Sequence, residues 1–212
     1  MKFGSPFSQK INLKSNYKMK SIFIFLLLIM FTGNLFSQEK ERSIKELKSA
    51  AKKGVAEAQF NLGVRYYRDG GPLKEAFEWF RKSAEQGFAK AQYNLGAMYR
   101  EGKGTRKDLQ KAFEWYKKSA EQGFAKAQYN LGLMYAKGKG TLKDLQKAFE
   151  WYKKSAEQGH ARGQYGLGAM YLYGIGVSKN KNKAAYWIEK SYNSGYKKAK
   201  DVWEEYKLWK YK

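Results

Sequence analysis

The sequence predicts an all-α fold, a right-handed α-α superhelix (solenoid) of four tandem repeats closed by half-repeat caps. Three observations predict it. A period of 36 residues runs through most of the chain, each unit holds two stretches of helical spacing, and glycine-rich turns separate those stretches. The string "KDLQKAFEWYKKSAEQG" stands letter for letter at residues 107–123 and again at 143–159. Composition agrees with a packed chain: 212 residues, 43% hydrophobic and 17% aromatic, suffice for one ordinary core.

The first element, residues 1–37, reads as an export signal. Lys14, Lys18 and Lys20 precede the apolar run "IFIFLLLIMF", and "TGNLFSQ" then offers Ser37 before a cleavage point. An uncleaved anchor is the rival reading, but the stretch to Phe36 has 15 residues, interrupted by Thr32, Gly33 and Asn34. Roughly 20 are needed to span a bilayer, so no stable transmembrane span is expected after cleavage. Met19 opens a compact signal of its own, which would set residues 1–18 aside. With no cysteine, there is no lipoprotein attachment site, disulfide, thiolate metal site or thiol nucleophile.

Residues 38–55 follow as an N-terminal half-repeat, with Leu47, Ala50, Ala51 and Gly54 in the positions of a second helix. Repeat 1 covers 56–88, repeat 2 covers 89–124, repeat 3 covers 125–160 and repeat 4 covers 161–196. Repeat 1 is three residues short between Asp69 and Leu73, where a surface loop tolerates shortening. In repeat 3, Gln128, Leu131, Gly132 and Tyr135 form the stripe of a first helix, A; Ala148, Phe149, Tyr152, Ser155 and Ala156 form that of a second, B. Asp108, Asp144 and Asn180 stand where an N-cap acceptor belongs, and Pro72 holds that slot in repeat 1. Gly87, Gly123, Gly159 and Gly195 stand where a left-handed residue stops helix B. Residues 197–212 have the place of a helix A but carry Trp203 and Glu204 in the Leu-Gly slots, which predicts a polar-faced capping helix.

Gly63, Gly96, Gly132 and Gly168 lie inside helix A, where each costs about 1 kcal/mol relative to alanine. A bulky neighbour packed against each would offset that cost. Trp79, Trp115, Trp151 and Trp187, at one fixed position of helix B, are the expected neighbours. A lone helix pair cannot bury such faces, and a stack can.

Leu131, Gly132 and Tyr135, followed by Ala148 and Tyr152, resemble the core of tetratricopeptide repeats. The fuller pattern, Ala125, Ala127, Gln128, Leu131, Gly132, Tyr135, Gly138 and Gly140, then Asp144, Ala148, Trp151, Ser155 and Gly159, is similar to the Sel-one-like repeat family. That resemblance implies a non-catalytic adaptor holding protein partners on the concave face of the superhelix. It also implies an alternative, a β-lactamase-like envelope hydrolase, as described for cysteine-rich relatives whose cysteines this chain lacks.

The residues themselves offer little chemistry. His160 is the single histidine and occupies the slot of Phe88, Phe124 and Tyr196, as an aromatic filler. Lys118-Ser119 and Lys154-Ser155 form a conceivable Ser-Lys pair, but both serines fall on the core stripe. No cofactor and no metal are expected. Net charge is +23; taking the five lysines of residues 1–37 away leaves +18, and such a surface favours an acidic protein partner or an anionic envelope glycan or lipid. Nucleic acid is disfavoured, because the aromatics repeat with the packing period and the chain is expected to be exported to periplasm, cell surface or medium. Repeats 2 and 3 differ at five positions, four of them in late helix A and its turn. The candidate partner contacts are therefore Arg100, Glu101, Arg106, Ala136, Lys137, Leu142 and Tyr173. A strip through Tyr66, Tyr99, Tyr135 and Tyr171 is the rival, though it also fits the core pattern.

Overall fold

The computed structural model describes residues 41–211. The expected export signal, residues 1–37, lies outside them. By internal contacts the chain divides into residues 1–49 and residues 50–212. In the first, residues 41–49 are helical and belong to α1, residues 41–52, with Arg42 paired to Glu46 at 3.0 Å. The second holds α2 (Ala56–Arg68), α3 (Leu73–Glu85), α4 (Ala89–Glu101), α5 (Leu109–Glu121), α6 (Ala125–Lys137), α7 (Leu145–Glu157), α8 (Ala161–Tyr173), α9 (Lys181–Asn193) and α10 (Lys197–Glu205). A short 3-10 turn, Leu208–Tyr211, ends it. No strand occurs among the described residues. The fold is an all-α solenoid in which even-numbered helices are A and odd-numbered helices from α3 are B. Each A packs chiefly on the B of its own unit, and each B on the next A.

Caps mark the ends of these helices as the sequence predicts. Asp108, Asp144 and Asn180 accept the backbone N–H of Lys111, Lys147 and Lys183, each at 2.9 Å. The glycines closing helix B have φ between 79° and 89°, a region where a side chain would be strained. The second glycine of each GxG turn has another task. A Cβ on Gly104 would run into the backbone carbonyl of Leu73, and one on Gly140 into that of Leu109, so the turn leans on helix B of the preceding unit.

The helix B stripe is buried as read: Ala148, Phe149, Tyr152, Ser155 and Ala156 are all inside. The expected tryptophan contact is corrected. A Cβ on Gly63 would lie 2.8 Å from Phe80, on Gly96 3.0 Å from Tyr116, on Gly132 2.9 Å from Tyr152, and on Gly168 2.8 Å from Ile188. The residue after each tryptophan fills the notch. Ala148 and Tyr152 are separated by four residues and share a line up the helix, whereas Trp151 is turned about 100° from Tyr152 onto the flank. There Trp79, Trp115 and Trp151 each carry a lysine ammonium 4.3–4.6 Å above the ring, from Lys82, Lys118 and Lys154.

Two polar ladders tie the tiers. Ser83, Ser119, Ser155 and Ser191 donate to the carbonyls of Ala56, Ala89, Ala125 and Ala161 at 2.6–2.8 Å, locking helix B to the start of its own helix A. Gln92 and Gln128 donate to Ala84 and Ala120 of the preceding helix B, both at 3.2 Å. Those carbonyls belong to a last helical turn, where they lack the usual i+4 N–H and take the N–H of Gly87 and Gly123 at 3.0 Å, so the glutamine adds a second donor. The same glutamines accept from Gln122 and Gln158 at 2.7 Å, so one buried amide links three helices.

The C-terminal cap differs from one continuous helix. α10 ends at Glu205, Lys207 takes a left-handed φ of 49°, and the chain doubles back to bury Leu208 completely against Ala184, Ala185 and Ile188. With Trp203 and Glu204 in the Leu-Gly slots, α10 has no leucine to cover this end, and Leu208 supplies one from the following turn.

Candidate functional site

The A helices carry a recurring stripe that is exposed at its basic residue and half-buried beyond it, except at buried Asn130. Lys90, Tyr93, Asn94 and Ala97 of α4 recur as Lys126, Tyr129, Asn130 and Leu133 of α6, and as Arg162, Tyr165, Gly166 and Ala169 of α8. The spacing places each set along one side of its helix. At the N-terminal end of this stripe is a polar cavity of about 300 Å³, lined by Tyr93, Lys126, Tyr129, Asn130, His160 and Arg162. No carboxylate is among those six.

His160 shapes the floor of that cavity. It takes the aromatic slot, its ring 5.4 Å from Tyr129 where Phe124 stands 5.2 Å from Tyr93. Its Nδ1 also accepts the Gly163 N–H at 3.3 Å and lies 3.2 Å from the Ser155 hydroxyl, so it caps α8, which the phenylalanines cannot do for their helices. Burial first, then repulsion from Lys126 and Arg162, holds the imidazole below its ordinary pKa. The cavity thus presents two exposed cations, a neutral imidazole and a buried amide between tyrosine walls, a set that suits a carboxylate or similar anion.

A second, apolar cavity of about 180 Å³ opens further along α4. Val64, Phe80, Ala97 and Met98 form its body, exposed Tyr67, Arg68 and Glu101 its rim, and the polar Asn94 lines it as well.

The candidate partner contacts are not gathered into one site. Glu101 reaches the apolar cavity, held below the usual carboxylate range chiefly by its hydrogen bond from Arg100 at 2.5 Å, with Lys103 at 3.0 Å on its other oxygen. Arg100 is half-buried, its guanidinium 5.9 Å from the centre of the Tyr116 ring. Arg106 and Leu142 are exposed in successive turns, Leu142 at 88%. Ala136 is half-buried against the core between α7 and α8, and Lys137 is exposed at the end of α6. Tyr173 is half-exposed, and its hydrogen bond to the Tyr206 hydroxyl at 3.2 Å raises its pKa to about 12. The rival strip is core: Tyr99, Tyr135 and Tyr171 set their rings edge-on to Phe77, Phe113 and Phe149.

Ser119 and Ser155 are fully buried, with their hydroxyls given to helix A carbonyls. Among the described residues no group of three or more histidines, cysteines, aspartates or glutamates could hold a metal ion. No helix of the described residues is long and apolar enough to cross a membrane. Sequence reasoning missed Lys126, Tyr129, Asn130 and Arg162. Their signal was the basic residue at the second position of three successive A helices, Lys90, Lys126 and Arg162.

Comparison with known proteins agrees with this architecture. The family model for the Sel1 repeat matches residues 56–88, 89–124, 125–160 and 161–196. No curated protein matches the chain. A solved structure of c5321, a protective antigen present in uropathogenic Escherichia coli strains and displaying an SLR fold, is 39% identical with a TM-score of 0.70. The match covers 73% of this chain and 34% of that one. A Sel1 repeat protein from Oxalobacter formigenes is 37% identical with a TM-score of 0.69, covering 74% of this chain and 63% of its own. The chain therefore spans less than two thirds of either relative's length.

Proposed function

This chain belongs to the Sel1 repeat family, and from that premise we propose that it is an exported, non-catalytic scaffold that holds an acidic segment of a protein partner against its A-helix face. Repeats of this family generally serve as protein-interaction scaffolds. The observation that carries the acidic partner is the cavity of Lys126, Arg162, His160, Asn130, Tyr93 and Tyr129, which gathers cations without an acid. Its tyrosines offer rigid contact area at small entropic cost, and the surrounding excess of positive charge steers an acidic chain toward it.

Export to the bacterial envelope is part of the proposal. Support comes from the lysine-flanked apolar run of residues 14–31 and from the E. coli relative's description as a protective antigen. The test is quantitative capture from envelope extract, comparing the protein with its K126E/R162E variant, with circular dichroism confirming that both fold. An acidic protein captured by the first and at least tenfold less by the second bears the reading out. Equal capture by both, or capture of anionic glycan or lipid alone, refutes it.

A further inference from the structure

We infer that the apolar cavity between α2 and α4 is a socket for one aliphatic side chain, supplied by the same acidic segment that the basic cavity holds. This inference rests on the proposed function for its partner, and on its own geometry for the socket. Pockets that enclose whole small molecules run to roughly 300–1,000 Å³. At about 180 Å³, this one suits a single side chain.

Repeats 2 and 3 show what opens it. Where repeat 2 has Ala97, itself a wall of the cavity, repeat 3 has the larger Leu133. Where repeat 2 has Arg100, whose guanidinium lies over the Tyr116 ring at 5.9 Å, repeat 1 has Tyr67. Tyr67 turns instead to Lys103, accepting its ammonium at 2.8 Å, and Phe80 remains as a wall of the cavity. Two small changes at equivalent positions thus leave Val64, Phe80, Ala97 and Met98 facing a space. A residue difference inside an otherwise repeated scaffold acquires a use.

The occupant follows from charge and continuity. Arg68 and Glu101 line the cavity. Glu101 is already paired with Arg100 and Lys103, and Asp69, the acid next to Arg68, with Arg65 and Arg68, so four cations attend two acids and the neighbourhood stays net positive. α4 carries walls of both cavities, Tyr93 for the basic one and Ala97 for the apolar one. Four residues of helix put these about 6 Å apart along its axis, within the reach of one extended segment. A leucine, isoleucine or methionine flanked by acids fits this surface.

Methyl NMR on the full protein tests the socket, with N-acetyl-leucine methylamide as probe and N-acetyl-alanine methylamide as control. A saturable shift of the Met98 methyl with the leucine compound is expected, at an affinity about ten- to a hundredfold above the alanine compound. A97L, which copies repeat 3, abolishes it, while K126E/R162E leaves it in place. Equal shifts with both compounds, no saturable shift, or a response that survives A97L overturns the socket. In the capture experiment A97L lowers partner yield at least tenfold; unchanged yield overturns the shared occupant, whatever K126E/R162E does.

Discussion

Replacing Gly132 with alanine sets two known effects against each other. Alanine in a helix interior gains about 1 kcal/mol over glycine. The added methyl would lie 2.9 and 3.0 Å from two carbons of the Tyr152 ring and 3.2 Å from the Ala148 carbonyl oxygen. That oxygen is part of α7 and cannot retreat, so the buried ring must, and overpacking of this kind costs about 1–3 kcal/mol. The expected net loss is about 1 kcal/mol, read as a lower urea midpoint at unchanged slope, or a melting temperature roughly 2–4 °C lower. In a Y152A background the ring contacts are gone and only the Ala148 carbonyl contact remains, so G132A should there be neutral or stabilise by up to about 1 kcal/mol. The double-mutant cycle therefore has a coupling of about 1–3 kcal/mol. If G132A stabilises both backgrounds equally, the glycine-and-ring notch is not what sets the spacing of the helices.

Two other predictions follow from named contacts. Q128L removes two hydrogen bonds, the donation to the Ala120 carbonyl and the acceptance from Gln158, while the Ala120 carbonyl keeps the Gly123 N–H at 3.0 Å. At about 0.5–1.5 kcal/mol net for each bond, the denaturation curve should show a loss of about 1–3 kcal/mol. For His160 the folded pKa lies below the unfolded one, so the unfolded state binds the proton more readily. Its contribution is present above about pH 6.5 and is lost as pH falls. Relative to H160F, which copies Phe124, the native protein should lose melting temperature between roughly pH 7.5 and 5, as protonation ends acceptance from Gly163 and charges a ring beside Lys126 and Arg162. A constant difference between the two proteins across that range contradicts the cap.

Most of the scaffold was legible because the 3.6-residue period and the end signals agree at every unit. The buried stripe of α7 and the caps at Asp108, Asp144 and Asn180 required no tertiary knowledge. The tryptophans misled because size suggests depth, whereas one residue's turn of a helix moves Trp151 to the flank and Tyr152 to the notch. The glutamine ladder was illegible, since a polar residue on an apolar stripe does not say which carbonyl it will meet. Leu208 was read as part of a continuing helix because nothing local announces the left-handed Lys207 that turns it inward. The basic cavity escaped for a related reason. It joins residues from three A helices, and the comparison of repeats 2 and 3 highlights where they differ, whereas Lys126, Tyr129 and Asn130 are the same in both as Lys90, Tyr93 and Asn94.

Site-specific photo-crosslinking in cells that produce the protein asks most directly whether the A-helix face is the recognition surface. A photoreactive phenylalanine at position 129 stands in the wall of the basic cavity, and one at position 186 stands on the exposed side of helix α9. A discrete adduct with one acidic protein from position 129, weakened by R162E and absent from position 186, is the predicted result. Adducts from position 186 with none from position 129 would contradict the account.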